Sequence, residues 1–437
     1  MLELLRKLIL DFEELPLETG LPRQLKIETV RGKATICIGV RRSGKSTYMF
    51  QVMQGLLDQG VSRQNILYLN FFDDRLHTLK QTGLDIIVEA YFSLYPEKKN
   101  TEKVHCFFDE IQTIPGWEPF IDRLMRTENC QVFITGSSAE MLSKEIATQM
   151  RGRALSWEIF PFSFREFLDY KNINSTGPWS TKRQLVIRKA FDEYWERGGF
   201  PEVAGFSTAL RIKTHQEYFN SVLFRDLVER HNVTHPTAVT DLAYRLIDNI
   251  GAPYSVNSLT GYLKSLGHKV PKATVSEYIE WFEDAYFLFT VHIFDASLSR
   301  VQNNPKKIYC VDHAMVPSVA SGILVNSGHL LESLVFITFR RDDLKVSYYK
   351  TKNGREVDFI VQMANRTKQL FQICESLADP STKTREVTAL NEAMVELKLK
   401  TGTIITRNEE GQIEAEGGKI HVVPIWKFLL ISGVEAQ

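Results

Sequence analysis

Gly39-Val-Arg-Arg-Ser-Gly-Lys-Ser46 follows the apolar run Lys33–Ile38 and opens the amphipathic run Ser46–Leu57. The stretch fits the pattern G-x-x-x-x-G-K-[ST], in which a glycine-rich loop joins a strand to a helix. Glycines let backbone N–H groups curl around phosphate groups, and the N-terminus of the following helix adds a positive dipole. The stretch therefore predicts a phosphate-binding loop, and the strand–helix context weighs against a glycine-rich turn of no function.

The residue types of the loop indicate what it binds. We expect Lys45 to reach the β- and γ-phosphates of ATP and the hydroxyl of Ser46 to ligate Mg²⁺. The residues expected to hold the nucleotide are Gly39, Arg42, Ser43, Gly44, Lys45, Ser46 and Thr47. The sequence thus predicts ATP and Mg²⁺ as cofactors.

A second apolar run, Val104–Phe108, ends in the acids Asp109 and Glu110. An acid pair after a strand is common, and by itself it is often only a solvated strand end. Because this acid pair lies downstream of a phosphate-binding loop in an α/β pattern, it is a candidate for metal binding and catalysis. We expect Asp109 to hold Mg²⁺ through water and Glu110 to polarise the attacking water.

A third apolar run, Cys130–Ile134, ends in small polar residues. In a P-loop ATPase with an additional strand, this tip lies between the phosphate-binding loop and the acids and senses the γ-phosphate. Thr135 or Ser137 could do so here, whereas Ser138 could equally cap the next helix.

Arg151 and Arg153 precede the last apolar run of this region, Ala154–Phe160. An arginine there would be exposed at the edge of the domain and suited to reaching the γ-phosphate of a neighbouring subunit. The alternative is an ordinary surface arginine.

Composition limits the classes of partner. The 437 residues are enough for two to four domains, and Lys+Arg and Asp+Glu both total 53. Because the net charge is zero, any contact with nucleic acid must come from a local cluster of positively charged residues. The five cysteines are scattered without CxxC spacing, and no apolar run is long enough to span a membrane. We expect a cytoplasmic protein with reduced thiols and no membrane contact.

The pattern of apolar residues changes along the chain. Up to Phe160, short apolar runs alternate with amphipathic ones, which predicts a parallel sheet wrapped by helices. A helical pattern follows, and after Pro305 short strands are separated by polar turns. We expect an α/β multidomain chain with segments 1–160, 161–234, 235–304 and 305–437.

Several motifs together resemble one known family. They are GVRRSGKST (39–47), FFDEIQTIPGWEPF (107–120), FITGSSAEML (133–142), RGR (151–153), PFSFREFL (161–168), GGFPEV (198–203), KIYCVD (307–312) and GHLLESLVF (328–336). Over nearly its whole length the chain resembles the prokaryotic AAA+-type ATPases that carry a C-terminal restriction-endonuclease-like domain of unassigned function. The resemblance implies an AAA+ ATP-binding domain, a helical lid, a winged-helix segment and a nuclease-like tail.

The same resemblance assigns further roles. It implies a homo-oligomer, which could be a hexameric ring, with Arg153 as an arginine finger. Pro201, in Gly199-Phe-Pro201, resembles the G-x-P element of signalling ATPases, in which the proline lies near the adenine. Without the resemblance, Gly198-Gly-Phe-Pro201 is simply a helix end followed by a turn.

The middle of the chain has a helix–turn–helix rhythm. One helix is predicted over 258–266 and a second from about residue 272, with Lys269 and Lys272 near its N-terminal end. These lysines are candidates for DNA contact. A packing domain is the alternative, because Glu280 and Glu283 make the far end of the second helix acidic.

The tail resembles the PD-(D/E)xK fold of restriction enzymes and Holliday-junction resolvases. Glu332 and Asp358 match the first two carboxylate positions of that fold, but Gln372 and Cys374 replace the expected Glu and Lys. An amide ligates Mg²⁺ poorly and a thiol cannot supply the charge of lysine. We therefore expect a tail without nuclease activity.

The tail also carries a local concentration of positive charge. Its candidate DNA-binding residues are Arg340, Arg341, Lys350, Lys352 and Arg355, although such a run is often only a solvated face. These features favour an oligomeric AAA+-type ATPase that remodels or moves along DNA, with branched DNA as a target. The alternatives are a nucleotide-gated switch that binds a protein partner and an ATP-licensed, metal-dependent nuclease.

Overall fold

Short apolar runs before Phe160 form one five-stranded parallel sheet in the computed structural model of the protein. The structure describes residues 1–137, 150, 152–320, 326–363 and 365–431, and the chain divides into two compact units, Met1–Phe160 and Pro161–Gln437. The strands of the first unit are β1 (Ala34–Ile38), β2 (Ile66–Asn70), β3 (Val104–Asp109), β4 (Cys130–Gly136) and β5 (Ala154–Glu158). The predicted parallel sheet is confirmed.

The order of the strands is β2-β3-β4-β1-β5, so β4 lies between β1 and β3. Every residue of β1 and β3 is buried, as expected for a parallel sheet with both faces covered, whereas β5 is a half-buried edge strand. Because all five strands are parallel, the carboxyl ends of β1, β4 and β3 lie side by side.

Helices connect these strands. They are α1 (Leu2–Glu14), α2 (Lys45–Asp58), α3 (Leu79–Thr82), α4 (Asp85–Leu94) and α5 (Trp117–Thr127), with short 3-10 turns at Arg63–Asn65, Asp74–Leu76, Pro96–Lys98 and Ile111–Thr113. Phe12 of α1 and Met49 and Met53 of α2 pack with Phe107 and Phe133 of the central strands. This core fixes the sheet beneath the phosphate-binding loop.

The second unit begins with helices. They are α6 (Phe164–Tyr170), α7 (Thr181–Arg197), α8 (Thr208–Ser221), α9 (Pro236–Asp248), α10 (Val256–Ser265) and α11 (Lys272–Asp284), with a 3-10 turn at Pro201–Gly205 and a π-helical stretch at Val222–Glu229. The helices predicted over 258–266 and from about residue 272 correspond to α10 and α11.

A two-stranded antiparallel sheet follows α11. It pairs β6 (Leu288–Val291) with β7 (Lys307–Cys310), and α12 (Leu298–Asn303) lies between them in the chain. The boundary predicted near residue 305 falls between these paired strands, so β7 does not join the sheet of the tail. A strand pairing of this kind is not visible in the composition of either segment.

The tail contains a six-stranded mixed sheet with the order β12-β13-β11-β10-β9-β8. Its strands are β8 (Lys345–Lys350), β9 (Glu356–Gln362), β10 (Lys368–Ile373), β11 (Thr401–Thr406), β12 (Gly411–Ala415) and β13 (Gly418–Pro424), and its helices are α13 (Met315–Val319), α14 (Ser327–Arg341), α15 (Pro380–Leu397) and α16 (Ile425–Ile431). Ala389, Leu390 and Ala393 of α15 pack on Ile360 and Leu370 of the sheet. That this domain is restriction-endonuclease-like stays a prediction.

Within the described residues, no helix is both long enough and apolar enough to cross a lipid bilayer.

Candidate functional site

The loop between β1 and α2 has the backbone geometry of an anion cradle. Arg42 and Gly44 have φ angles of 66° and 96°, in the left-handed region, and α2 begins directly afterwards at Lys45. Alternation of right- and left-handed residues turns successive N–H groups toward one concavity. Gly39 is required at the start of the loop, because a Cβ there would overlap the carbonyl oxygen of Ile159.

Lys45 lies inside this loop and is only 5% exposed. Its Nζ donates hydrogen bonds to the carbonyl oxygens of Gly39 (3.0 Å) and Val40 (3.1 Å). The same nitrogen is 3.8 Å from Oε1 of Glu110. The structure therefore brings together the predicted phosphate-binding lysine and the predicted catalytic glutamate.

Asp109 is almost fully buried at the end of β3 and is surrounded by hydroxyl groups. Its Oδ1 accepts a hydrogen bond from Thr135 Oγ1, and its Oδ2 accepts one from Tyr68 OH at 3.0 Å. Burial raises the pKa of Asp109, and the hydrogen bonds from Thr135 and Ser46 partly oppose that effect. The two predicted Mg²⁺ ligands, Ser46 and Asp109, thus lie within hydrogen-bonding distance of each other. A hydroxyl and a carboxylate are the hard oxygen ligands that suit this ion.

Glu110 is held in a left-handed backbone conformation, with φ of 57°. Its N–H donates to Thr135 Oγ1 at 3.0 Å, and its Oε2 accepts a hydrogen bond from Gln112 Nε2 at 2.5 Å. A non-glycine residue in this conformation is uncommon and is often found where a side chain must be aimed at a site. Sequence reasoning missed Gln112, since an amide two residues after an acid belongs to no recognisable pattern.

Two buried hydroxyls at the site make no hydrogen bond with any described residue: Ser43 Oγ and Ser137 Oγ, on side chains 0% and 1% exposed. An unpaired buried polar group is costly, so such groups call for a ligand. Of the two predicted γ-phosphate sensors, Thr135 is already engaged with both acids, whereas Ser137 has its hydroxyl available. The site therefore fits the phosphates of a nucleotide. Ser138 lies outside the described residues.

An N-terminal segment braces the loop from the side. Arg23 donates to the carbonyl oxygens of Ser43 (2.8 Å) and Phe160 (2.6 Å). Tyr48 of α2 donates to the carbonyl oxygen of Leu25 at 3.1 Å. These contacts hold the loop against the end of β5, and no sequence motif marks the residues that make them.

Arg153 lies immediately before β5, and its side chain is 39% exposed. Its Nη1 is 3.4 Å from Oδ1 of Asp122, while Arg126 Nε is 3.1 Å from Oδ2 of the same carboxylate. Two arginines thus share one buried acid, which the sequence did not indicate. Arg151 lies outside the described residues.

Pro201 belongs to the second unit. The preceding glycines pack tightly: the N–H of Gly199 donates to Asp312 Oδ2 at 2.6 Å, and its carbonyl oxygen accepts from the N–H of Phe162. A side chain at Gly198 would overlap the carboxylate of Asp312. These contacts explain both glycines by packing, and a role of Pro201 near the adenine stays a prediction.

The four tail positions predicted from the nuclease resemblance lie together in one cleft of about 620 Å³. Gln372 Oε1 accepts from the N–H of Asp358 at 3.3 Å, and its Nε2 donates to Glu386 Oε2 at 2.7 Å. Burial raises the pKa of the Cys374 thiol to about 12, and burial together with Asp358 raises the pKa of Glu332 to about 8. The thiol is therefore neutral and supplies none of the charge that a lysine would.

The predicted basic cluster of the tail is largely paired with acids or with the backbone. Arg355 contacts Glu392 at 2.9 Å and Lys350 lies 3.8 Å from Glu356. Arg341 Nη1 donates to the carbonyl oxygen of Pro161 at 2.8 Å. In addition, Arg340 lies over the ring of Phe289, and the backbone N–H of Lys352 donates to Glu396. The cluster therefore offers less unpaired charge to a phosphate backbone than the sequence indicated, because glutamates of α15 and of β9 contact it.

The two lysines near the start of α11 differ from the basic cluster of the tail because both are exposed. Lys269 is exposed in the loop before α11, and Lys272 is exposed at its first turn. Lys272 lines a cleft of about 590 Å³ together with Lys306 and the amides of Asn303 and Asn304. Glu280 and Glu283 line the same cleft, so lysines and glutamates both face it.

Comparison with known proteins gives three family matches along the chain. Residues 31–168 match an AAA domain, residues 188–323 match a domain of unknown function (DUF8612), and residues 327–428 match a second one (DUF4143). The chain is similar to the uncharacterized protein MJ1544 of Methanocaldococcus jannaschii, with 33% identity over 93% of this chain and 90% of that protein. It is 30% identical to an uncharacterized protein of Haemophilus influenzae over 75% of this chain and 79% of that protein.

Among solved structures, one similar chain is the Aeropyrum pernix ORC1 protein in complex with DNA. The similarity covers 77% of this chain and 92% of that chain, at 14% identity and a TM-score of 0.32.

Proposed function

This chain belongs to the family of the uncharacterized protein MJ1544 of Methanocaldococcus jannaschii, and we propose that it is a Mg²⁺-dependent ATPase. Its reaction centre is the loop after β1 together with the ends of β3 and β4. One observation carries the proposal: Lys45, Asp109 and Glu110 converge there, with two buried hydroxyls that have no partner among the described residues. The match of residues 31–168 to an AAA domain agrees with this assignment.

Lys45 and the loop bind the triphosphate. The ammonium of Lys45 contacts two neutral carbonyl oxygens, and phosphate oxygens would replace them with stronger, charge-assisted bonds. Ser43 and Ser137 add hydroxyl donors, and backbone N–H groups at the start of α2 add more. Ser46 and Asp109 would hold Mg²⁺, which neutralises charge on the β- and γ-phosphates when bound.

Glu110 orients the attacking water. Gln112 holds one carboxylate oxygen of Glu110, and Thr135 holds its backbone N–H, so the second carboxylate oxygen has a fixed direction. A positioned carboxylate accelerates hydrolysis by accepting a proton as the water attacks. Binding and hydrolysis therefore depend on different side chains of the same site.

Replacing Lys45 and Glu110 separates binding from hydrolysis. We expect Lys45→Ala to weaken ATP binding by about tenfold to a hundredfold, the value of a charge-assisted hydrogen bond. Glu110→Gln should bind ATP like the wild type but hydrolyse it more slowly, by a factor on the order of 10²–10⁴. Calorimetry with Mg·ATP measures the first effect and phosphate release the second.

Glu97→Gln is the matched control for the carboxylate, because Glu97 is exposed and distant from the loop in sequence. It should leave both measurements unchanged. Wild-type turnover in Glu110→Gln, or wild-type affinity in Lys45→Ala, would refute the site assignment.

The active form in our proposal is a homo-oligomer, a hexameric ring by the family resemblance, in which Arg153 reaches the γ-phosphate of the next subunit. Its present contact with Asp122 is long and partly exposed, and Arg126 remains on that carboxylate when Arg153 leaves. Release of Arg153 therefore does not strand a buried charge, which would be costly.

Arg153→Ala should keep ATP binding and slow hydrolysis by a factor on the order of 10³ or more, the scale of an arginine finger. When mixed with wild type, it should lower activity more than in proportion to its share. Arg126→Ala, which removes the other arginine on Asp122, is the matched control and should retain activity. Equal activity of the two variants, or strictly proportional mixing, would contradict a role in trans.

The second part of the proposal is that ATP turnover acts on DNA, with branched DNA preferred. Lys269 and Lys272 at the start of α11, with Lys306 on the same cleft, are the residues best placed to contact phosphates. Glu280 and Glu283 lie toward the C-terminal end of α11, so its N-terminal turn is the part suited to a phosphate backbone, as in helix–turn–helix proteins. The rival is a nucleotide-gated switch for a protein partner.

DNA binding separates these two proposals. With ATP and the Glu110→Gln variant at low salt, we expect roughly micromolar binding or tighter, with a steep loss as salt rises. Lys269→Ala/Lys272→Ala should weaken binding about equally for every sequence, because phosphate contacts carry no base information. Fluorescence anisotropy with single-stranded, duplex and four-way-junction DNA measures this, and Lys189→Ala, an exposed lysine of α7, is the control. If none of the three DNAs binds while ATP hydrolysis is intact, the switch replaces the DNA proposal.

A further inference from the structure

A buried lysine lies at the centre of the carboxylates in the tail. Lys307 on β7 is only 2% exposed. Its Nζ is 3.1 Å from Glu332 Oε2, 2.9 Å from Glu356 Oε1 and 3.2 Å from Asp358 Oδ1. The ammonium donates hydrogen bonds to Glu332 and Asp358 and forms an ion pair with Glu356.

The cation and the acids come from separate elements. Glu332 is on α14, and Glu356 and Asp358 are on β9, whereas β7 belongs to the two-stranded sheet with β6. Tyr309, two residues after Lys307 on β7, donates from its OH to Glu332 Oε2 at 3.0 Å. The same strand therefore contacts Glu332 through two side chains. The positive charge that compensates these acids therefore comes from a strand outside the sheet that carries two of the three acids.

We infer that the ammonium of Lys307 takes the place of a divalent cation in this carboxylate site and keeps the protein from binding one there. Mg²⁺ needs oxygen ligands at about 2.0–2.1 Å and near-octahedral geometry. The three oxygens instead surround a nitrogen at 2.9–3.2 Å, so a metal ion among them would have to occupy the position of Nζ. In the described part of the chain, no group of three or more Asp, Glu, His or Cys side chains has the geometry to hold a metal ion.

Gln372 supports this arrangement. At the position where the nuclease resemblance calls for a third carboxylate, its amide donates to Glu386 and accepts from the N–H of Asp358. The backbone N–H of Ile373 donates a hydrogen bond to Asp358 Oδ2 at 2.8 Å. The carboxylates are thus satisfied by protein donors, although the adjoining cleft of about 620 Å³ leaves them a path to solvent ions.

Removing Lys307 should uncover the metal site. Without the ammonium, the ionised acids of this cluster would lack a counter-charge in a buried position, and a divalent cation entering from the cleft would supply it in competition with protonation of Glu332. Lys307→Met keeps the length of the side chain and removes its charge. Lys307→Arg is the matched control, because it keeps a cation among the acids.

The test is Mn²⁺ binding to the nucleotide-free, full-length protein, followed by electron paramagnetic resonance. Any Mn²⁺ at the phosphate-binding loop is common to all variants and cancels in the comparison. We expect wild type, Asp358→Asn and Lys307→Arg to give the same isotherm. Lys307→Met should gain one tightly bound Mn²⁺, with affinity at least about tenfold above wild type, the scale on which changes around a metal site act. Lys307→Met/Asp358→Asn should lose it.

Two results would overturn the inference. One is Mn²⁺ binding in wild type that disappears in Asp358→Asn, since the site would then take metal despite the lysine. The other is a folded Lys307→Met variant that gains no Mn²⁺. If Lys307→Met does not fold, the comparison of wild type with Asp358→Asn still tests the inference, because a loss of Mn²⁺ binding in Asp358→Asn would overturn it. Either result would leave the ATPase proposal unaffected, because that proposal rests on residues of the phosphate-binding site and not on Lys307 or the tail acids.

Discussion

The hydroxyl of Thr135 donates to Asp109 and accepts the backbone N–H of Glu110, so a single side chain at the end of β4 fixes both acids at the end of β3. This contact is possible because β4 is the parallel neighbour of β3 in the sheet. The same strand order places the acids beside the loop that carries Lys45, whose Nζ is 3.8 Å from Glu110. The rest of the candidate site depends on that position, because the end of β4 fills the space between the phosphate-binding loop after β1 and the acids at the end of β3.

Lys45 and Lys307 are both buried next to carboxylates, and the difference between their contacts distinguishes the two sites. Lys45 makes hydrogen bonds to two neutral carbonyl oxygens and has only a long contact with Glu110, so a triphosphate offers it better partners. Lys307 lies within 3.2 Å of three carboxylates, so another anion offers it no better partner. The same residue type therefore prepares one site for a ligand and closes the other to a metal ion.

The sequence was sufficient for features that a local pattern encodes. The loop from Gly39 to Ser46, the acids after β3 and the five strands of the first unit each follow from contiguous residues and their hydrophobic period. It was not sufficient for contacts between residues far apart in the chain. Tyr68 on Asp109, Asp122 between two arginines, and Lys307 with Asp358 each join separate elements. The predicted basic cluster was misleading for the same reason, because Glu392 and Glu396, which fold back onto it, come from α15.

The most direct test of the account is a crystal structure of the Glu110→Gln variant grown with Mg·ATP. The account predicts that Lys45 Nζ leaves the carbonyl oxygens of Gly39 and Val40 and lies within hydrogen-bonding distance of the β- and γ-phosphate oxygens, with Ser46 on Mg²⁺. Ser43 or Ser137 should gain a phosphate oxygen as its missing partner. A nucleotide bound elsewhere, or a Lys45 still held by the two carbonyl oxygens with ATP present, would contradict it.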